Sequence, residues 1–214
     1  MPPAEVECVY EDGDLLVLHK PGGLLCVPGR GPDKQDALST RAEGRWPGAL
    51  IVHRLDQATS GLVLMARHIE AQRRLSDAFA TRRVDKRYHA IVRGQPAAAG
   101  EWNLIDLPLG ADWPNRPRQK VDLEHGKPSQ TLWRPLAYDT ARDATRLELQ
   151  PLTGRTHQLR LHLVAIGHPI LGDTLYADAA TQAAAPRLLL HATSLAFAHP
   201  MHGGACAFSV APDF

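Results

Sequence analysis

The sequence predicts an α+β fold built on a mostly antiparallel, mixed central sheet with flanking helices. Three observations carry this reading. Segments with strand patterning outnumber those with helical periodicity. The two kinds do not alternate regularly, as they would around a doubly wound parallel sheet. Neighbouring apolar runs, at residues 50–52 and 62–66, flank a short charged loop, which is the pattern of two strands joined by a turn.

In chain order, residues 14–20 form an apolar run that stops at Lys20-Pro21-Gly22-Gly23 and reads as a strand. Residues 37–43 suit a short helix. The strands at 50–52 and 62–66 follow, with Thr59-Ser60-Gly61 supplying turn chemistry between them. Residues 70–82 place Ala71, Leu75, Ala78 and Phe79 at helical spacing, which predicts an amphipathic helix whose exposed face carries Arg73, Arg74 and Asp77. Residues 88–93 alternate, with Tyr88, Ala90 and Val92 on one face, and read as a strand. A loop of small residues is expected over 94–100, and an ordered Pro-rich loop over 107–117. Residues 146–150 alternate again. Thr153-Gly154 then breaks the strand, and a helix is expected over 157–166, with Thr156 as N-cap and Gly167 as the stop. Leu159, Leu163 and Ile166 share its apolar face, while His157 and Arg160, three apart, project together. Residues 188–190 and 194–198 read as final strands.

The chain has 214 residues, 44% of them hydrophobic, enough for a core in one domain spanning 1–214. No run reaches the ~18 apolar residues of a membrane span. The N-terminus, Met1-Pro2-Pro3-Ala4-Glu5-Val6-Glu7, lacks the basic and apolar regions of a signal peptide. Cys8, Cys26 and Cys206 are odd in number and widely spaced, which argues against zinc and against a disulfide framework. A reducing, cytoplasmic setting is expected. Among the 11 histidines no HExxH-type ligand pattern occurs, so no metal is expected; no GxSxG elbow or P-loop is present either. The net charge is only +1, yet Arg82, Arg83, Lys86 and Arg87 form one basic cluster and Arg116, Arg118 and Lys120 a second. Each cluster is either a phosphate footprint or a solvated face.

The densest chemistry lies in His53-Arg54-Leu55-Asp56, followed by Thr59-Ser60-Gly61. A carboxylate on a loop between two strands is exposed by the loop and held by the strands. Taken alone, it reads more simply as an Asx turn or a surface ion pair with Arg54. Four further segments change the balance. They are Leu18-His19-Lys20-Pro21-Gly22-Gly23-Leu24-Leu25, then Lys86-Arg87-Tyr88, then residues 151–162 with Thr153-Gly154-Arg155-Thr156-His157-Gln158-Leu159-Arg160, then residues 167–173. Together, in this order over residues 9–200, they resemble the RluA-type pseudouridine synthases. Asp112-Trp113-Pro114-Asn115-Arg116-Pro117-Arg118 and Pro28-Gly29-Arg30 are similar to a short subgroup that acts on a large-subunit rRNA hairpin and a tRNA anticodon loop. Longer relatives carry an N-terminal S4-type domain, and none is expected here, since the matching pattern begins within about the first 15 residues. Cys26 departs from the subgroup, where a small hydroxyl residue is usual, and Gln57 follows the Asp.

The resemblance implies the pseudouridine synthase fold with a catalytic cleft, a cytoplasmic isomerase acting on uridine in RNA stem-loops, and no cofactor, because the reaction has no redox change or energy input. It assigns the nucleophile to Asp56, a carboxylate in glycosyl chemistry. An arginine beside it would keep it ionised. Arg155 and Arg160 both qualify, and the family motif places the pair at Arg160, which otherwise reads as a solvated helix residue. Arg54 would fill the space of a flipped base. Tyr88 would stack on the uracil, where it otherwise reads as a strand aromatic with its hydroxyl at the rim. His53, Arg82, Arg83, Lys86, Arg87, Arg116, Arg118, Lys120 and Arg155 are the expected RNA contacts, while His157 and His162 support the motif helix. A monomer is expected, with rRNA and tRNA stem-loops as partners and no membrane. The alternatives are an RNA-binding or RNA-folding protein of the same fold without turnover, and a nucleoside hydrolase, which would want a second acid beside Asp56.

Overall fold

A computed structural model describes residues 6–98 and 101–214. The end of the loop expected over 94–100, and most of the N-terminal stretch used to set aside a leader, lie outside the described residues. The described elements begin with β1 (Glu7–Glu11), β2 (Leu15–Lys20), α1 (Leu38–Arg45), β3 (Leu50–Ile51), β4 (Ser60–Ala66), α2 (Ile69–Ala80) and β5 (Asp85–Arg93). They continue with β6 (Asn103–Asp106), β7 (Leu109–Ala111), β8 (Gln119–Val121), β9 (Gln130–Asp139), β10 (Ala144–Pro151), α3 (Gln158–Ala165), α4 (Ala179–Ala183), β11 (Leu190–Ala198) and β12 (Ala205–Ser209). They divide into two compact units. One takes in residues up to Lys86 with Ala192–Asp213, the other Arg87–His191 with Phe214.

In the first unit β2 pairs antiparallel with both β1 and β4, β3 with β4, and β12 with β11. All seven residues of β4 are buried, as are five of the six in β2, which is why both read as continuous apolar runs rather than alternating ones. Leu15, Val17, Leu62 and Leu64 pack with Ala71, Leu75 and Ala78 of α2 and with Leu195 and Phe197 of β11. The expected amphipathic helix is α2, entered through His68, whose ring nitrogen accepts the Ala71 N–H at 3.3 Å.

The turn before β4 differs from expectation. It runs from Asp56 to Thr59, closed by the Thr59 N–H on the Asp56 carbonyl at 3.1 Å, and Ser60 and Gly61 already belong to the strand. Gly61 serves close approach instead. Its φ is +116°, and a Cβ there would overlap the Ala192 backbone.

In the second unit the strand order is β5–β10–β9–β6, antiparallel throughout, with Ala90 opposite Leu147 and Tyr88 opposite Leu149. Residues 107–117 were expected as loop only. They contain β7, which pairs with β8 as a separate two-stranded hairpin. The strand expected at 194–198 lies within β11, which begins at Leu190 and so takes in only the last residue of the run expected at 188–190, and β12 follows it. Strands β1, β6 and β9 had no clear sequence signal. In β9, Pro135 and a half-exposed outer stretch blur the alternation that pairing with β10 imposes.

Helix α3 is buried along nearly its whole circumference, from Gln158 through Leu163, rather than along one apolar face. Its cap is also not Thr156. His157 occupies the N-cap in the left-handed region, φ 55°, and donates no side-chain cap. Gln158 takes over the work of ordering the turn, accepting from the Thr153 hydroxyl at 2.7 Å and from the Arg155 N–H at 3.0 Å. The helix stops at Gly167, φ +84°, as its sequence indicates.

Candidate active site

The Asp56 loop is fixed through its main chain by the turn that follows β2. Lys20 ends β2 fully buried, and its ammonium donates to the carbonyls of Pro21 at 2.9 Å, Leu24 at 2.8 Å and Gln57 at 3.1 Å. The Gly23 N–H also reaches the Gln57 carbonyl, at 2.8 Å, and the Gln57 amide returns a bond to the Gly23 carbonyl at 3.0 Å. On the other side of Asp56, the Leu55 N–H donates to the Cys26 sulfur at 3.2 Å. Residues 55 and 57 are thus both tied down, and Asp56, half-buried, stands between them with Arg54 exposed beside it.

Burial pulls the Lys20 ammonium down to about 8, against the opposing pull of Cys26 and of the Asp56 carboxylate. Lys20 is therefore a cation in the electrostatic neighbourhood of Asp56. Sequence reasoning placed it only in a turn motif. A lysine closing an apolar run was the available signal, because such a lysine must find acceptors when buried.

His53 braces the loop from beneath. Its Nε2 accepts the Leu64 N–H at 2.9 Å, and its ring stacks on Phe79 at 4.3 Å. Burial, helped by the charge of Lys86, pushes it down to about 3, so it is neutral at ordinary pH. The RNA contact expected at His53 is corrected accordingly: Nε2 accepts the Leu64 N–H of β4 and is not available to a phosphate.

The basic cluster after α2 is partly engaged. Arg82 is exposed in the left-handed region, φ 60°, Arg83 pairs with Asp77, and Lys86 is half-buried with its ammonium pulled down by burial. In the second unit the Arg87 and Arg134 guanidinium groups both lie over the Trp102 ring, at 4.9 and 4.7 Å from its centroid. Arg155 is exposed and reaches the Pro128 carbonyl at 3.4 Å, and Tyr88 is half-buried in β5.

Arg160 is 3% exposed and grips Asp173, which is fully buried, with two parallel bonds at 2.8 and 2.5 Å. The same Asp173 oxygen accepts the N–H groups of Leu175 and Tyr176 at 2.9 and 3.1 Å. The Tyr176 ring lies 5.1 Å from the Arg160 guanidinium, and its hydroxyl meets His157 Nδ1 at 2.6 Å and the Gln119 N–H at 2.9 Å. His157 and Arg160 do project together, as their spacing indicates, and Tyr176 is what they meet. Neither Asp173 nor Tyr176 was singled out from sequence. Asp173 ends the segment 167–173, but nothing local marks Tyr176, sixteen positions after Arg160. Gly172, φ +75°, lets the chain pass where a Cβ would overlap the Arg187 carbonyl. Deeper in the helix, His162 bonds the Thr131 hydroxyl at 2.9 Å and the Leu107 carbonyl at 3.0 Å, which anchors α3.

Asp12, Asp14 and His199 make the one cluster of metal-type ligands among the described residues. Its lone pairs are already used. Asp12 accepts the N–H groups of Asp14 and Leu15, the Tyr10 hydroxyl and His199 Nε2. Burial pushes the Asp12 carboxyl up, but these donors outweigh it and hold it at about 2. The Met201 N–H bonds His199 Nδ1 at 3.3 Å, so Nε2 carries the proton and is a donor, not a ligand.

The RNA pseudouridylate synthase family matches residues 14–165. The dual-specificity RNA pseudouridine synthase RluA of Escherichia coli (strain K12) is 47% identical over 215 residues, covering 100% of this chain and 97% of that protein. The protein of the same name from Haemophilus ducreyi is 43% identical, covering 98% and 94%. Among solved structures, human RNA pseudouridylate synthase domain containing 1 superposes with a TM-score of 0.81 at 29% identity, covering 100% of this chain and 87% of that one. With a fold shared over the whole chain, and with both the Asp56 loop and the Arg160 helix inside the matched span, this chain belongs to the RNA pseudouridylate synthase family.

Proposed function

We propose that this chain, an RNA isomerase of that family, uses Asp56 as its nucleophile on uridines of a large-subunit rRNA hairpin and a tRNA anticodon loop. The observation that carries the reading is the loop itself. Leu55 and Gln57 are pinned by Cys26, Gly23 and Lys20, so the carboxylate between them is presented in a fixed place beside a buried cation. Preorganisation of this kind is what a nucleophile needs. The relatives are named for a dual specificity, and the two substrates themselves are what the resemblance of residues 112–118 to the short subgroup implies.

In this reading the N1–C1′ bond breaks, the uracil turns, C5 bonds to C1′, and the C5 proton leaves as N1 gains one. Atoms balance without cofactor or metal. Asp56 engages the base or sugar, Arg160 is the arginine that keeps that carboxylate ionised, Arg54 occupies the gap left by the flipped uridine, and Tyr88 stacks on it and relays the C5 proton. Arg82, Arg83, Lys86, Arg87, Arg116, Arg118, Lys120 and Arg155 contact phosphates. The protein works as a monomeric single catalytic domain in the cytoplasm.

Tritium release from C5-labelled uridine RNA, with products resolved, tests the reading. The wild type should release tritium and leave pseudouridine in both stem-loops. Asp56→Asn should abolish release while RNA affinity stays within roughly tenfold, about 1.4 kcal/mol. Binding without release by the wild type would make the chain an RNA-binding protein, and free uracil would make it a hydrolase.

A further inference from the structure

We propose that Trp113, at the tip of the β7–β8 hairpin, is a stacking platform for an unpaired RNA base other than the target uridine. This rests on the reading of the chain as an RNA-modifying enzyme. Trp113 is 68% exposed, which is unusual for the largest apolar side chain unless a partner covers it. One face of the ring is already occupied: the Arg116 guanidinium lies 3.5 Å from its centroid. A cation behind an indole, with the rest of the ring open to solvent, is the arrangement on which a base stacks, because every base offers a π-face and a neighbouring phosphate.

The tip is also rigid, so little ordering cost would oppose binding. Asp112 and Arg118 close it through a 3.1 Å backbone bond, and the Asn115 N–H and side chain both return to Asp112, at 3.1 and 2.9 Å. Pro114 and Pro117 fix φ on either side of Asn115 and Arg116.

The hairpin is anchored to the Arg160 network of its own unit. Arg118 donates to the Leu175 carbonyl, and its guanidinium lies 5.9 Å from the Tyr176 ring. The Gln119 N–H donates to the Tyr176 hydroxyl, which also meets His157. A base held on Trp113 is therefore held in register with the helix that carries Arg160. Arg116, Arg118 and Lys120 against Asp112 and Asp122 leave this tip with the positive excess that an RNA strand favours.

The test is a double-mutant cycle between Trp113 and the RNA. Trp113→Ala and Trp113→Phe are measured against synthetic uridine stem-loops in which each loop nucleotide except the target is made abasic in turn. Trp113→Ala should weaken Kd and raise KM by about 5- to 150-fold, the range for loss of one stacked base. It should leave kcat within about twofold, and Trp113→Phe should retain most of the affinity. At one loop position the wild type should lose the same factor on removal of the base, while Trp113→Ala loses nothing further. Trp113→Ala should keep the salt slope, whereas Arg116→Gln should lower it by about 0.7–0.9. Unchanged Kd and KM for Trp113→Ala, or losses that add at every abasic position, would overturn the platform. Thermal unfolding of Trp113→Ala separates this from misfolding, since a side chain this exposed should leave the melting temperature in place. A wild type that binds RNA but releases no tritium would sink the catalytic reading while the binding cycle still decides the platform.

Discussion

The Asp56 loop and the Arg160 helix hold their charged groups by opposite means. Asp56 is placed through its neighbours: Lys20, Gly23 and Cys26 fasten the main chain of residues 55 and 57. Arg160 is placed through its own side chain, whose Nε and one terminal nitrogen are taken by Asp173 in a dry setting. A carboxylate that must meet a changing substrate is best fixed at its backbone. A guanidinium whose direction must not change is best fixed at its head, where a planar bidentate pair allows little rotation.

The largest effect should come from breaking the side-chain hold. Arg160→Met leaves Asp173 buried without its cation, which costs on the order of 3–5 kcal/mol. Urea unfolding should show that loss, and turnover should fall sharply with it. Arg155→Met, at an exposed position, should do much less to either. Replacing both members of the buried pair by neutral residues, Arg160→Met with Asp173→Asn, which keeps an acceptor for the Leu175 and Tyr176 N–H groups, should recover much of the stability but not the turnover. Equal harm from Arg155→Met would mean that the important arginine is the other one.

Breaking the main-chain hold should cost less stability but nearly as much activity. Lys20→Met strands the carbonyl of Leu24 in the interior, at about 1–3 kcal/mol. The charge of Lys20 is present below its pKa of about 8 and lost above it. Turnover should therefore decline above about pH 8 in the wild type, and the variant, already slow, should lack that limb. A wild-type profile flat to pH 9 would mean that the ammonium does not matter to the loop.

His53 gives a smaller effect with a definite sign. Its folded value of about 3 lies below the ordinary 6.5, so the unfolded chain binds a proton first. Stability from its neutral form is complete above about 6.5 and is lost as pH falls towards 3. The expected slope is about 1.4 kcal/mol per pH unit below 6.5. Denaturant unfolding at pH 7, 6 and 5, repeated on His53→Gln, isolates this contribution; an equal slope in the variant would assign it elsewhere.

The smallest change belongs to the surface. Arg83→Gln removes an exposed pair with Asp77, which contributes under about 1 kcal/mol. Combined with Arg82→Gln, it should flatten the salt dependence of RNA binding by about 0.7–0.9 per lost phosphate contact. An unchanged slope would turn that face away from the RNA.

The sequence by itself determined the elements whose signal is local. Strands β2 and β4 announce themselves as apolar runs because they are buried on both faces, and α2 because one side packs on them. The stop at Gly167 and the shared direction of His157 and Arg160 follow from helical geometry alone. The α+β class and the position of Asp56 between two strands were legible for the same reason.

What the tertiary structure decided are the choices among partners distant in sequence. Lys20 reaches across 37 residues to Gln57, and Gln119 across 57 to Tyr176. Thr156 is as good an N-cap as any by composition. The turn is ordered instead by Gln158, whose amide also bonds the Gln130 carbonyl and the Thr131 hydroxyl of β9. Gly61 looks like a turn residue until Ala192 is seen against it. A local pattern states what a residue can bond. Only the packed chain removes water from most of the candidates and leaves one partner for a buried polar group to find.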